Sequence, residues 1–189
     1  MTVGSDEELL AYLQRDEPVL LPTDTVPALA IRPQAAARIW ELKQRPAHKP
    51  LILMGADLEQ LLQALGAPWR PEWLEEAQRV WPGAVTLVLP MAGPLCEALH
   101  PGGASLGMRV PACPMTQALL GRAGPLATTS VNRSGDAPAL DAEQASRLFP
   151  ALSLLGPVPW PEGSGCPSEV RAWGQDGWRV LRSPSSPTP

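Results

Sequence analysis

Short apolar runs alternate along this chain with segments of helical spacing, and few architectures accommodate that rhythm. Ser5 and Glu8 form a capping box that opens a helix ending near Asp16, with Leu9, Leu10 and Leu13 on one face. Val19 to Leu21 is a short run of the buried-strand kind. Helical spacing returns from Gln34 to Gln44 through Ala36, Ile39 and Trp40, until Pro46 stops it. A strand at Leu51 to Met54, a helix at Leu58 to Leu65, a helix at Glu72 to Val80 behind Pro71, and a strand at Val85 to Leu89 follow. Beyond them come a strand at Leu106 to Val110, a helix at Met115 to Leu120, a strand around Leu126 to Thr129, and a helix capped by Asp141 that runs to about Phe149. Short strands at Leu152 to Leu155, Glu169 to Trp173 and Trp178 to Leu181 complete the pattern, the last two joined as an antiparallel hairpin through Gly174 to Gly177. The predicted fold is therefore α/β with a mixed sheet, one domain over residues 1–182 followed by a disordered tail at 183–189.

Several familiar chemistries are excluded. There is no apolar run of membrane-spanning length and no apolar leader in the acidic first residues, so a cytoplasmic protein without membrane attachment is expected. The three cysteines are far apart and form no CxxC. With only two histidines, a zinc site, a disulfide frame and a histidine metal cluster are all disfavoured, and no protein metal site is expected. Walker, dinucleotide-binding and GxSxG motifs are absent. A net charge of −4 means that any site for a polyanion is local.

What remains is a distributed polar set. Thirteen of the fifteen basic residues are arginine, yet both lysines, Lys43 and Lys49, lie in KQRPAHK with Arg45. The only asparagine, Asn132, lies in TTSVNRSG beside Thr128, Thr129 and Ser130, where an apolar strand ends. Ammonium and guanidinium groups together suit a triphosphate, although a cationic helix end and a solvated turn would also account for the first stretch, and an Asx-type turn for the second. In VLLPTDTVPALAI, three polar side chains interrupt two apolar runs, as an ordinary turn or as a bend that presents Thr23, Asp24 and Thr25 to a ligand. WPGAVTLVLP reads as a structural turn into a strand. Arg109 lies within an apolar strand, where burial demands a partner, either Asp24 or a ligand carboxylate.

In this order, PTDTV, KQRPAHKPLIL, WPGAVTLVL, MRVP, TTSVNRSG, PSEV and VLR resemble the YrdC-like family, specifically its short bacterial threonylcarbamoyl-AMP synthases, over about residues 5 to 182. The resemblance implies an open, twisted sheet with a large concave cavity. It also implies condensation of L-threonine, bicarbonate and ATP, with Mg2+, to threonylcarbamoyl-AMP and pyrophosphate, for modification of tRNA with the help of partner proteins. Carried onto matching positions, Lys43 and Arg45 would be catalytic. Arg45, Lys49, Ser105, Ser130, Asn132 and Arg182 would bind ATP, and Thr25, Arg109 and Ser168 would bind threonine, Arg109 through its carboxylate. The chain departs from the family pattern at Pro27-Ala28, where Tyr-Gly is usual, and at Met54, Cys113, Val131 and Glu169. Two other activities remain compatible with such a fold: an RNA-binding module, whose affinity would fall steeply with salt, and a paralogue acting on another carbamoyl substrate.

Overall fold

Period-two alternation sorts the strand side chains onto two faces of one sheet. The structure is a computed structural model that describes residues 1–46, 48–66 and 68–184. Its strands are β1 (Thr2–Gly4), β2 (Val19–Leu21), β3 (Ala28–Ile31), β4 (Ile52–Met54), β5 (Val85–Pro90), β6 (Ser105–Arg109), β7 (Leu126–Ser130), β8 (Ser153–Leu155), β9 (Glu169–Gly174) and β10 (Gly177–Arg182). They form one ten-stranded sheet in the order β1-β8-β2-β3-β7-β4-β6-β5-β9-β10. Parallel pairs such as β4 with β6 and β5 with β9 stand beside antiparallel ones such as β5 with β6 and β9 with β10, so the sheet is mixed, as predicted.

The helices are α1 (Asp6–Gln14), α2 (Ala37–Lys43), α3 (Leu58–Leu65), α4 (Pro71–Val80), α5 (Pro94–Leu99), α6 (Pro114–Ala123) and α7 (Ala142–Leu148). Leu29, Leu53, Leu87, Leu106, Met108 and Ala127 project from one face into a core with Ile39 and Trp40 of α2, Leu61 of α3, Trp73 of α4, Leu99 of α5 and Ala145 of α7. The opposite face has a smaller core. Val19, Leu21, Ala30, Met54, Leu126 and Leu155 pack there with Leu9 and Leu13 of α1 and Leu119 and Leu120 of α6. Two helices cannot cover ten strands, and the bare remainder of that face, across β7, β4, β6 and β5, becomes a concave floor.

Local chemistry explains the boundaries. Ser5 accepts from the Glu8 amide while the Glu8 carboxylate accepts from the Ser5 amide, which completes the predicted capping box. Asp57 and Asp141 cap α3 and α7 in the same manner, each accepting an amide three residues on. The helix expected from Gln34 is instead a 3-10 turn at Pro33–Ala35, and α2 begins at Ala37. Three elements were not predicted. β1 is three residues long and is defined by pairing with β8, some 150 residues away in sequence. β3 is half alanine and is held between β2 and β7. α5, six residues behind Pro94, is too short to display a helical period. Of the expected tail, residues 185–189 lie outside the described residues.

Tryptophans fasten the last hairpin to the core. Trp73 packs edge-on against Trp69 and Trp173, with ring centroids 6.4 and 6.3 Å apart, and Trp173 packs on Trp178 of β10 at 5.3 Å. Trp73→Ala should cost about 3–5 kcal/mol in urea denaturation, and its loss should loosen β9 and β10 first, read as faster amide exchange in that hairpin than in β6. A change below about 1 kcal/mol would show that the stack is not what holds the hairpin.

Candidate active site

A cleft of about 440 Å³ lies on the bare face of the sheet. Its floor contains Ile52, Val88, Gly107 and Thr128, one from each of four strands. Ile52 pairs with both Gly107 and Thr128, so the register places Ser105 and Ser130 on one side of that row and Arg109 and Met54 on the other. Ser105 and Arg109 are four residues apart on β6, roughly 13 Å at the usual rise per residue. The cleft therefore has two ends. Gly107 gives it depth: a Cβ there would stand 3.5 Å or more from its neighbours, so the protein has room for it, and anything larger would extend into the cleft.

At one end Arg109 is almost wholly buried and fully oriented. Its Nε donates to the Gly83 carbonyl at 2.9 Å, Nη1 to Thr25 Oγ1 at 2.8 Å, and Nη2 to Asp24 Oδ1 at 2.6 Å. A guanidinium has five N–H groups, so two remain for a ligand. Burial pushes its pKa down, and the Asp24 carboxylate opposes that shift. Thr23 Oγ1 donates to Val26 O at 2.8 Å, so its contact with Thr25 Oγ1 at 2.9 Å must be donated by Thr25. The hydroxyl order is thus fixed from Arg109 through Thr25 to Thr23. The same loop is clamped from outside by Ser164 and Gly165, whose amides donate to the carbonyls of Asp24 and Thr25. Just before them, Gly163 comes so close that a Cβ would lie 2.3 Å from the Thr25 carbonyl. Ser168 closes this end: its Oγ lies 2.9 Å from Thr86 Oγ1, and its carbonyl accepts from Arg182 Nη2 at 2.9 Å.

Toward the other end, the C-terminus of α2 divides two cations. Gln44 takes a left-handed conformation (φ 50°), which turns the chain so that Lys43 points behind β7 while Arg45 reaches the cleft. Lys43 Nζ donates to Asn132 Oδ1 at 2.7 Å, to the Ser130 carbonyl, and to Thr129 Oγ1 at 3.4 Å. Asn132 Oδ1 also accepts from Ser130 Oγ at 2.8 Å, and its Nδ2 donates to the Asp136 carbonyl at 2.7 Å. Lys43 is 1% exposed. Burial and then the neighbouring Arg45 push its pKa down from 10.5 to about 7, against the three oxygens that favour the ammonium. Arg45 Nη2 donates to Pro50 O at 3.1 Å.

Of the ten residues singled out from sequence, eight line the cleft: Thr25, Arg45, Ser105, Arg109, Ser130, Asn132, Ser168 and Arg182. Lys43 lies behind the wall and braces Ser130 and Asn132 from there. The structure does not bring Lys49 to the lining: its backbone carbonyl accepts from Trp40 Nε1 at 2.9 Å and the residue is exposed, so the expected phosphate contact has no geometric support. WPG, read as a simple turn, also supplies the Gly83 carbonyl that orients Arg109. Thr86, His100 and Asp136 also line the cleft and were not anticipated. His100 is one of only two histidines. The rarity that drew attention to Asn132 applied to it equally.

The family profile of Sua5, YciO and YrdC, described as "Telomere recombination", matches residues 11–183. The chain is 32% identical over 173 residues to a threonylcarbamoyl-AMP synthase of Vibrio campbellii, covering 87% of this chain and 92% of that protein. It is 37% identical over 143 residues to one of Halorhodospira halophila, covering 74% of each. The structure superposes on P. abyssi Sua5 complexed with L-threonine with a TM-score of 0.86 at 27% identity, covering 95% of this chain and 54% of that one, so it spans about half the length of that chain. E. coli YciO shares the fold, with a TM-score of 0.80 at 22% identity over 96% of this chain and 89% of that one.

Two predictions follow from the geometry. Gly107→Val should leave the unfolding free energy from urea titration within about 0.5 kcal/mol of the parent. It should also abolish the tryptophan-fluorescence response to a nucleoside triphosphate, since the added methyls occupy the cleft, and unimpaired binding would place the ligand elsewhere. For Lys43 the unfolded chain holds an extra proton between pH about 7 and 10.5, so this residue makes folding more favourable as the pH rises through that window. The stability of the parent protein relative to Lys43→Met should therefore increase from pH 7 to pH 9.5 in urea titrations, and a flat or falling difference would contradict the shift.

Proposed function

The chain belongs to the Sua5/YciO/YrdC family, and from that premise we propose that it is a threonylcarbamoyl-AMP synthase, a nucleotidyltransferase acting in the cytoplasm on L-threonine, bicarbonate and ATP. The observation that carries this reading is the two-ended cleft. A positioned Arg109 with two free N–H groups suits an amino-acid carboxylate. About 13 Å along β6, the other end offers Ser105, flanked across the sheet by Ser130, Asn132 and Arg45, which suit a nucleotide. Arg45, Arg109 and Arg182 make the cleft locally cationic within an acidic protein. The name of the relatives and the threonine complex of P. abyssi Sua5 support the same assignment.

In the reaction the threonine amine attacks bicarbonate carbon and water leaves, giving an N-carboxylate. A carboxylate oxygen then attacks the α-phosphorus of ATP, the bond from that phosphorus to the bridging oxygen breaks, and pyrophosphate departs. Little covalent chemistry falls to the protein, so rate depends on alignment and on neutralising the charge of the departing group. Arg109, Thr25 and Ser168 hold the amino acid at one end. Arg45 opposes phosphate charge, while Ser130 and Asn132, locked by Lys43, present a fixed polar wall. No cluster of three or more His, Cys, Asp or Glu suited to a metal occurs among the described residues, and Mg2+ enters as the MgATP substrate, coordinated chiefly by phosphate oxygens and water. The labile adenylate is then passed to tRNA-modifying partner proteins.

Pyrophosphate release from MgATP should require both threonine and bicarbonate. Arg45→Ala and Lys43→Ala should each lower turnover by a factor of about 100 or more with the fold retained by circular dichroism. Release without threonine, or unimpaired variants, would overturn the assignment, and salt-sensitive RNA binding indifferent to ATP would support a binding module instead.

A further inference from the structure

His100 is not used by the chemistry above, yet it lines the cleft beside Ser105. Its Nδ1 lies 2.8 Å from the Ser105 carbonyl. A carbonyl oxygen only accepts, so Nδ1 carries the proton and, in the neutral ring, Nε2 is left as an acceptor. The ring is held from one side by Gly103: a Cβ there would fall 2.3 Å from Nδ1 and 2.4 Å from Cε1, so only glycine lets the imidazole sit where it does. Nε2 has no hydrogen-bond partner among the described residues and is not among their buried, unpartnered atoms, and the residue lines the cleft. The ring is therefore a pinned acceptor with its proton position decided by the backbone.

Its location decides what it meets. Ser105 is roughly 13 Å from Arg109 along β6, too far for His100 to take a proton from an amino acid held there. It is also about 10 Å, two strand spacings, from Ser130 across β4. A neutral nitrogen lone pair repels phosphate oxygen and calls for a donor. When the α-phosphorus is near the amino acid and the cations, the part of ATP farthest from it is the amino edge of adenine. We infer that His100 is a specificity-determining residue whose Nε2 accepts a hydrogen bond from the exocyclic amino group of the adenine base. This rests on the ATP reading given above.

The test separates the two. Equilibrium binding of ATP, GTP, purine riboside triphosphate (which lacks the amino group) and 3′-deoxy-ATP is measured by calorimetry for the parent protein, His100→Asn and His100→Gln. Asparagine keeps an N–H near Nδ1 for the Ser105 carbonyl but removes the distal acceptor, whereas glutamine can place an amide oxygen near Nε2. The parent should prefer ATP to the purine analogue by about 3- to 10-fold, the range for one neutral hydrogen bond. His100→Asn should bind both alike, through weaker ATP binding and not tighter analogue binding, and His100→Gln should restore the preference. If the parent binds ATP and His100→Asn keeps the full preference, His100 does not read the base. If only the 3′-deoxy nucleotide loses affinity, and His100→Asn erases that loss, the ring reads the ribose and the amino assignment is wrong. If the parent binds no nucleotide, the ATP reading fails and this inference falls with it.

Discussion

The cleft depends on one buried cation. Arg109 ends a strand in which it is the only charged residue, and its guanidinium is almost out of reach of water. Such a charge is tolerated only if it is compensated, and here three of its donors are met by two segments distant in sequence: the turn at Gly83, and Asp24 and Thr25 of the loop between β2 and β3. These bonds tie the edge of the cleft to its floor. Removing one partner would leave an uncompensated buried charge, so the loop is placed by the cost of misplacing it more than by any attraction of its own. The interruption in VLLPTDTVPALAI is thus explained: the polar side chains answer a charge that arrives from elsewhere in the fold.

The rest of the architecture serves to keep that end open and rigid. Five helices crowd one face of the sheet and two cover only part of the other, which leaves bare strands where small residues, Gly107 and Ala28 among them, line the cleft. The outer clamp at Gly163 to Gly165 bonds the loop through main-chain amides, so its position does not depend on rotamers there. Rigidity of this kind is what a reaction limited by alignment requires.

Sequence reasoning found what is encoded locally. The Ser5 and Asp141 caps, the Pro71 helix start and the final hairpin are written within a few residues, and they appear where expected. Elements defined by distant pairing were not visible, and β1 and β3 are of that kind. The site divides along the same line. Composition singled out Asn132 and Lys43, and burial logic named Asp24 as one of two candidate partners for Arg109, because rarity and desolvation are properties of the residues themselves. Which side of a wall a residue occupies is not. Lys43 and Lys49 are the same residue type six positions apart, and beyond the left-handed Gln44 neither side chain lines the cleft, one lying behind its wall and the other exposed.

That separation bears on how an acidic protein handles a polyanion. Arg45 and Arg182 keep their charge at any ordinary pH and line the cleft, so attraction is always available. Lys43 differs: with its pKa near 7 the ammonium is held only marginally, by oxygens of the very groups that form the wall. A triphosphate bound on the other side of that wall would favour the charged form, and the charged form, with three donors for three oxygens, would order Ser130 and Asn132 most fully. Ligand charge and wall order would then reinforce one another through a lysine that need not touch the ligand. An arginine at this position would hold its charge permanently and would not gain order on binding, which distinguishes a responsive brace from a fixed one.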